Sequence, residues 1–257
     1  MKKVNTHIII HPDYQSYKDF LQAIPNHQYE VEKVYCKRRN TVEKVRWNNV
    51  DFVVKRYRVP VLINRLVYTF FRKSKAQRSY ENAQKLLRIG ISTATPVGYI
   101  IQKKNGLLHT VWFISLCLPA YTLYEYHLTV QEPDKLERLW KGLSDFMLNA
   151  HLHKYYFLDN NGGNILVQEK TDGLHFSIID INRIEQGRIP SLYKSMKSFD
   201  QLGLDVSALL SVLNHYTRER NFSLERCLYT VLKHRMKRIK KLEFKRSIYA
   251  KFSLKQH

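Results

Sequence analysis

The sequence predicts an α+β protein with two lobes: an N-terminal antiparallel sheet carrying one main helix, and a mainly helical C-terminal lobe. Short alternating apolar segments dominate the first half, apolar residues at helical spacing dominate the second half, and the pattern changes after Pro119. With 257 residues, of which 44% are hydrophobic, the chain can bury a sizeable core. We expect an N-terminal lobe at residues 1–120 and a C-terminal lobe at residues 121–257.

The first lobe is predicted from alternation and from helical spacing. Alternation predicts strands over residues 30–37, 41–47, 51–57, 97–102 and 110–118. Residues 61–73 and 74–89 are predicted to be helical, and the second of these helices ends at Gly90. A turn at residues 103–106 is expected to join the last two strands.

The second lobe is predicted to begin with a long helix over residues 134–153, which has an apolar face. Two strands follow, residues 164–168 and 174–180, joined by a turn at Asp172-Gly173. From Ser198 to the end the sequence predicts helices.

The charge is strongly positive and unevenly distributed. The 43 Lys and Arg residues outnumber the 22 Asp and Glu residues, which gives a formal charge of +21. The excess lies in residues 31–90, with sixteen basic and four acidic residues, and in residues 225–257, with eleven and two. Two basic zones therefore flank a neutral middle, which indicates an anionic partner.

Cysteine spacing and hydropathy indicate the compartment of the protein and whether it spans a membrane. Cys36, Cys117 and Cys227 are too far apart for a zinc or disulfide framework, which favours a reducing compartment. The longest apolar run, residues 111–120, is about half the length of a membrane-spanning helix. We expect an intracellular protein that is soluble or peripheral on a membrane.

A polar loop separates the long helix from the predicted hairpin. It runs from Asp159 to Asn164 and contains residue types that are also common in ordinary turns. A two-residue turn at Asp172-Gly173 pairs positions whose numbers sum to 345, and this register predicts that Asn164 lies next to Asp180. Hard oxygen ligands of this kind suit Mg²⁺. A base at Asp159 with metal ligands at Asn164 and Asp180 is the arrangement of phosphoryl-transfer enzymes.

Lys55 and Glu81 of the first lobe fit the same phosphoryl-transfer reaction. Lys55 follows an apolar pair in the third predicted strand, where kinases keep the lysine that holds nucleotide phosphates. Glu81 is the only acidic residue between Asp51 and Glu125 and lies on the predicted main helix, where an ion pair with Lys55 would orient that lysine. Ordinary surface charges are the alternative interpretation of both residues.

Over roughly residues 30–200, the sequence resembles the lipopolysaccharide kinase family, the Kdo and heptose kinases of Gram-negative bacteria. The resemblance lies in the order of elements and in four segments: Val54-Lys55-Arg56-Tyr57-Arg58, the basic helix from Lys73 to Glu81, the loop from Asp159 to Asn164, and Ile179-Asp180-Ile181-Asn182-Arg183. It implies a bilobed protein-kinase-like fold.

The resemblance also implies a site and a reaction. Asp159 would be the catalytic base, Asn164 and Asp180 the metal ligands, Lys55 the phosphate-binding lysine and Glu81 its partner. ATP would be the donor with Mg²⁺ as the metal, and the acceptor would be a Kdo or heptose hydroxyl on lipid A. The implied location is the cytoplasmic face of the inner membrane.

Two departures from the family pattern leave an alternative open. Phe157 stands two residues before Asp159, where the family usually has histidine, and the turn at residues 37–40 contains no glycine to cradle phosphates. A pseudokinase, or a basic module that binds an anionic membrane or nucleic acid, is therefore the competing hypothesis. The upstream His151 and His153 are interpreted as structural.

The C-terminal basic zone predicts an interface with an anionic membrane surface. Its net charge of +9 over 33 residues is interleaved with Phe244, Tyr249 and Phe252. Nucleic acid phosphates would be attracted as well, but the sequence has no recognisable base-reading motif, so specific nucleic acid binding is not expected.

Overall fold

The computed structural model describes residues 4–37, 40–58, 69 and 72–253. The chain forms two compact units. The first consists of Met1–Ala120 together with Ser177–Ile184, and the second of Tyr121–Phe176 together with Glu185–His257. The segment around Asp180 thus belongs with the N-terminal part of the chain.

A six-stranded antiparallel sheet forms the body of the first unit. Its strands are β1 (Val4–Ile10), β2 (Val31–Lys37), β3 (Asn40–Trp47), β4 (Val50–Tyr57), β5 (Pro96–Lys104) and β6 (Leu107–Leu116), in the order β1-β5-β6-β4-β3-β2. Its helices are α1 (Lys18–Ala23) and α2 (Lys75–Arg88). The five predicted strands and the main helix are confirmed.

Short turns with left-handed residues join the hairpins of this sheet. Asn48 and Asn49, both with positive φ of 47° and 61°, connect β3 to β4. Asn105 and Gly106, with φ of 53° and 77°, connect β5 to β6. Two successive positive φ angles match the right-handed twist of the strands, and Asn and Gly reach them at low cost. The second turn is therefore tighter than the four residues predicted for it.

The two faces of the sheet carry different residues because side chains alternate along each strand. One face buries a cluster that includes Phe52, Trp112 and Ile114. The opposite face buries Tyr57, Tyr99, Val111 and Phe113 together with Ala76 and Tyr80 of α2. Lys55 alternates with Val54 in β4 and so shares the α2 side of the sheet with Tyr57.

The N-terminal segment completes the core, although the sequence supported no prediction for residues 1–30. β1 pairs along its whole length with β5, and α1 places Phe20 and Leu21 at 0% exposure in the cluster with Phe52. A Cβ on Gly98 would lie 2.4 Å from the carbonyl oxygen of Ile9, so the close approach of these two strands requires glycine.

Most of the helix predicted at residues 61–73 lies outside the described residues. Of residues 61–73, only Thr69, Arg72 and Lys73 are among the described residues, and Arg72 and Lys73 are not helical. Helix α2 begins two residues later, after the side chain of Ser74 accepts a hydrogen bond from the backbone of Gln77.

The second unit is mainly helical. Its helices are α3 (Leu123–Thr129), α4 (Pro133–Leu152), α5 (Leu192–Gln201), α6 (Val206–Arg220) and α7 (Leu224–Ser253). Short strands accompany them: β7 (Tyr121–Thr122), β8 (Tyr155–Phe157), β9 (Ile165–Lys170), β10 (Gly173–Ile178) and β11 (Ile184–Gln186). The long helix and the C-terminal helices are confirmed, and the latter begin six residues earlier than predicted. Within the described part of the chain, no helix is long and apolar enough to cross a membrane.

The hairpin after the polar loop corrects one prediction. β9 ends at Lys170 and β10 begins at Gly173, so the two turn residues are Thr171 and Asp172, one residue earlier than predicted. The left-handed φ of 130° at Gly173 lies at the first residue of the strand rather than inside the turn. β10 ends at Ile178, and the predicted register, in which paired positions sum to 345, is therefore wrong. That Asn164 lies next to Asp180 stays a prediction.

We expect α1 to be required for folding of the first unit. Phe20→Ala should lower the free energy of unfolding by about 3–5 kcal/mol, because it leaves a cavity in the core. The same substitution at Phe244, which is 66% exposed on α7, should change it by less than about 0.5 kcal/mol. Urea unfolding of both variants measures the difference, and equal small effects would show that α1 does not support the sheet.

Candidate active site

Lys55 and Asp180 form an ion pair within the first unit. The Lys55 Nζ lies 2.5 Å from Oδ1 of Asp180, and the side chains are 13% and 29% exposed. Asp180 follows β10 and adopts a left-handed φ of 56°, an uncommon conformation for a residue other than glycine. The structure thus brings together two of the predicted site residues, a lysine and a carboxylate in a partly water-excluded position.

The segment that carries Asp180 is fastened to the first unit by hydrogen bonds. The backbone N–H of Ile178 donates to Ser92 at 3.0 Å, and the Thr93 hydroxyl donates to the Ile178 carbonyl at 2.5 Å. Asn82 of α2 donates to the Ile181 carbonyl at 2.7 Å. These bonds fix the backbone on both sides of Asp180.

Asn182 is a site residue whose role the sequence reasoning missed, although it stands in the segment that carried the resemblance. Its Nδ2 donates to Oδ1 of Asp180 at 2.7 Å. Oδ1 of Asp180 thus receives both Lys55 and Asn182. These two contacts hold the Asp180 carboxylate in one orientation.

Glu81 has a different partner from the one predicted. Lys73 donates to its two carboxylate oxygens at 2.8 and 2.7 Å, and Gln77 donates to one of them at 3.1 Å. Among the ion pairs of the described residues, Lys55 is joined to Asp180 and Glu81 to Lys73. The expected Lys55–Glu81 pair is absent from this set, because each of the two side chains pairs with a different oppositely charged group.

Tyr57 lies beside Lys55 and was not singled out from the sequence. Its ring centroid is 5.4 Å from the Lys55 Nζ, and its hydroxyl is 2.8 Å from the Ser79 hydroxyl on α2. Burial raises the pKa of the Tyr57 hydroxyl above its ordinary value, and the negative charge of Asp180 raises it further. The tyrosine is therefore neutral, and its ring faces the cation of Lys55.

The polar loop of the second unit is ordered by its own side chains. Asn164 Nδ2 donates to the backbone carbonyl of Asp159 at 2.8 Å, and the backbone N–H of Gly163 donates to Asn161 Oδ1 at 3.0 Å. The backbone of Asn164 closes the turn by donating to Asn161 at 2.8 Å. The loop thus brings the Asn164 side chain to the backbone of Asp159.

Asn164 and Asp180 each carry oxygen atoms of the type that Mg²⁺ binds. The Asn164 amide donates through nitrogen, so its oxygen, the atom that binds metals, points to the other side of the group. Asp180 offers carboxylate oxygens. Among the described residues no three His, Cys, Asp or Glu side chains cluster as a metal-binding group. Mg²⁺ needs no such cage, since it is held by one or two protein ligands with phosphates and water.

A buried polar network lies next to β8, the strand that leads into the loop. His151 is 0% exposed, its Nδ1 is 2.7 Å from the Tyr216 hydroxyl, and its ring stacks on Tyr156 with centroids 6.2 Å apart. The Tyr216 hydroxyl donates to Ser195 at 3.0 Å and accepts from Arg220 at 2.7 Å. Burial, with Arg220 and Lys194 nearby, lowers the pKa of His151 to about 3. His151 is thus a neutral core residue.

The low pKa of His151 predicts a loss of stability on acidification. The ordinary histidine pKa is about 6.5, so the unfolded chain takes up a proton that the folded protein excludes between about pH 6.5 and pH 3. The contribution of His151 to the free energy of unfolding is complete above about pH 7 and falls as the pH is lowered. Between pH 7 and pH 5, protonation linked to His151 should lower the free energy of unfolding of the wild type by about 2 kcal/mol. The His151→Gln variant should lack this decrease. Urea unfolding at both pH values measures it, and parallel pH profiles would contradict the assignment.

The chain is similar to known proteins in sequence and in fold. A search of curated proteins found no match. The solved structure described as "WaaP in complex with acyl carrier protein" superposes with a TM-score of 0.60 at 16% sequence identity, and the alignment covers 92% of this chain and 99% of that chain. This likeness establishes the protein-kinase-like fold. A model of the lipopolysaccharide kinase (Kdo/WaaP) family matches residues 28–211. The protein therefore belongs to the lipopolysaccharide kinase (Kdo/WaaP) family.

Proposed function

We propose that this protein is an active ATP-dependent kinase that phosphorylates a sugar hydroxyl of the lipopolysaccharide inner core, a Kdo or heptose on lipid A. The observation that carries the proposal is the 2.5 Å pair between Lys55 and Asp180, in a chain that also has an ordered Asp159–Asn164 loop. A lysine and a carboxylate held together in this way suit the binding of phosphates and of a metal ion.

In this proposal three residues bind the donor and its metal ion. Lys55 binds the phosphates of ATP, and Asp180 and Asn164 are the residues that would hold Mg²⁺. Bound Mg²⁺ supplies positive charge that offsets the charge of the transferred phosphoryl group. The pair between Lys55 and Asp180 keeps both side chains oriented. Glu81 acts indirectly, since it holds the start of α2 through Lys73.

Asp159 acts on the acceptor as the general base. Its carboxylate accepts the proton of the attacking sugar hydroxyl, and the loop bond from Asn164 to the Asp159 carbonyl keeps the base oriented. General base catalysis of this kind contributes about 10²- to 10⁴-fold to the rate. The Phe157 position does not enter this step, because Phe157 is buried at 2% exposure in β8.

Asp159→Ala should reduce kcat by about 10²- to 10⁴-fold, because the sugar hydroxyl loses its proton acceptor. The thermal stabilisation by ATP with Mg²⁺ should remain. The measurement is transfer of labelled phosphate to Kdo-bearing lipid A, with mass analysis of the product. Asp172→Ala, on the exposed turn between β9 and β10, is the matched control and should behave as wild type.

The same experiment separates the competing hypotheses. Near wild-type turnover by Asp159→Ala would remove Asp159 from the mechanism. A wild-type protein that shows neither turnover nor metal-dependent stabilisation by ATP would favour a pseudokinase or a basic binding module. Comparison of Kdo-bearing lipid A with a heptose-extended acceptor identifies the sugar.

We further propose that α7 binds the anionic membrane surface on which the acceptor lies. Its solvent-facing side carries the large apolar residues Tyr229, Met236 and Phe244, which are 65%, 54% and 66% exposed. Exposed Lys237 and Lys240 lie among them. A helix with apolar and basic residues on one exposed side is suited to the headgroup region of a bilayer.

Charge reversal on α7 tests this proposal. The triple change Lys237→Glu, Lys240→Glu and Lys241→Glu should weaken binding to vesicles of anionic lipid by on the order of 100-fold, at about 1 kcal/mol for each lost lysine. The control reverses Lys18, Lys33 and Lys85, three exposed lysines of the first unit. Vesicle sedimentation at two salt concentrations measures both. Equal binding by the two variants would exclude α7, and a protein partner such as the acyl carrier protein seen with WaaP would then be examined.

A further inference from the structure

We propose that α5 is the platform that positions Asp159, and that an ion pair between Asp200 and two arginines of α7 holds this platform in place. Asn160, Gln201 and Asp200 are then positioning residues for the reaction. The inference rests on the proposed function only in taking Asp159 as the base. It deepens that function by giving the C-terminal helix a role inside the second unit.

Three hydrogen bonds join α5 to the residues on either side of Asp159. Gln201 Nε2 donates to the carbonyl of Leu158 at 3.3 Å. Asn160 Nδ2 donates to the carbonyl of Ser198 at 3.2 Å and to its hydroxyl at 2.9 Å. Asn160 is 0% exposed, so its side-chain amide is shielded from bulk water. The residues before and after the base are thus tied to one helix.

A third contact reaches the glycines of the loop from the end of α5. The Tyr124 hydroxyl donates to the carbonyl of Leu202 at 2.9 Å, and Leu202 is the residue that directly follows α5. A Cβ on Gly162 would lie 2.5 Å from the Tyr124 ring, so the loop packs on this ring only because residue 162 is glycine. The Tyr124 ring therefore packs against the loop at Gly162, while its hydroxyl is bonded to the residue that follows α5.

The contacts to the loop come from one side of α5, and Asp200 faces the other. Positions 198, 201 and 202 are three and four residues apart and share a face of the helix, whereas position 200 points away from it. Asp200 is buried at 3% exposure. Its carboxylate receives two parallel hydrogen bonds from Arg238 of α7, at 3.0 and 2.9 Å. One helix therefore holds the loop on one side and α7 on the other.

A second arginine reinforces the pairing. Arg235 Nε lies 3.5 Å from Asp200, and its Nη2 donates to the Leu204 carbonyl at 2.8 Å. A buried carboxylate is costly unless it is paired, and the planar guanidinium supplies a bidentate match that lysine cannot. Arg235 and Arg238 thus pair with Asp200, although the Arg238 side chain is 46% exposed, and Lys237 and Lys240 lie exposed on the same helix. Two arginines of α7 therefore have a structural partner inside the second unit.

Asp200→Asn and Arg238→Gln test the platform in the full-length protein. Both should lower kcat, by on the order of 10²-fold, because the base loses its position, while KM for ATP stays within about twofold. Hydrogen–deuterium exchange should accelerate at residues 158–164 and stay unchanged in α6. Arg218→Gln removes an exposed arginine of α6 and is the matched control, expected to behave as wild type.

Gln201→Leu keeps the inference testable if the charge variants do not fold. It removes the bond to Leu158 without leaving a buried charge, and it should give the same local exchange and the same kcat loss. Unchanged exchange at residues 158–164 in a folded variant would overturn the proposal. Acceleration spread equally over α6 would also overturn it, since that indicates general destabilisation. Exchange needs no turnover, so a wild type without kinase activity would refute the proposed function and leave this test decisive.

Discussion

The second unit depends on the pairing of one buried carboxylate. Asp200 lies on α5 at 3% exposure, where a negative charge is tolerated only because Arg238 and Arg235 meet it from α7. The same helix ties the residues around Asp159 through Ser198 and Gln201. The ion pair therefore joins α5 to the C-terminal helix, and α5 also contacts the polar loop.

The first unit has a comparable constraint at Lys55. The sheet alternation places this lysine on the side of α2, and the hydrogen bonds of Ser92 and Thr93 bring the chain after β10 to it. Asp180 then becomes the partner of Lys55, and Glu81 is taken by Lys73. A basic surface offers an acidic residue several cations, so the choice of partner follows from distance and backbone path rather than from the residue types alone.

Much of the fold could be predicted because local signals were strong. Alternation around Lys55, the turn before β6 and the apolar face of α4 each follow from a short stretch of chain. The N-terminal segment was missed because Phe20 and Leu21 form a helix of only six residues, whose stability comes from packing against the sheet. The hairpin register was wrong by one turn residue, and a register error moves every paired position.

The sequence by itself determined the family resemblance, the two-part α+β organisation and the identity of the polar residues, because these depend on residue type, order and spacing. It also determined that Asp159 and Asn164 lie in one short loop. Only the tertiary structure decided the pairings: Lys55 with Asp180, Glu81 with Lys73, and Asp200 with Arg238. Except for the pair of Lys73 and Glu81, these contacts join residues far apart in sequence. Ion pairs have little directional preference along the chain, so the packing of the backbone selects among the available charges.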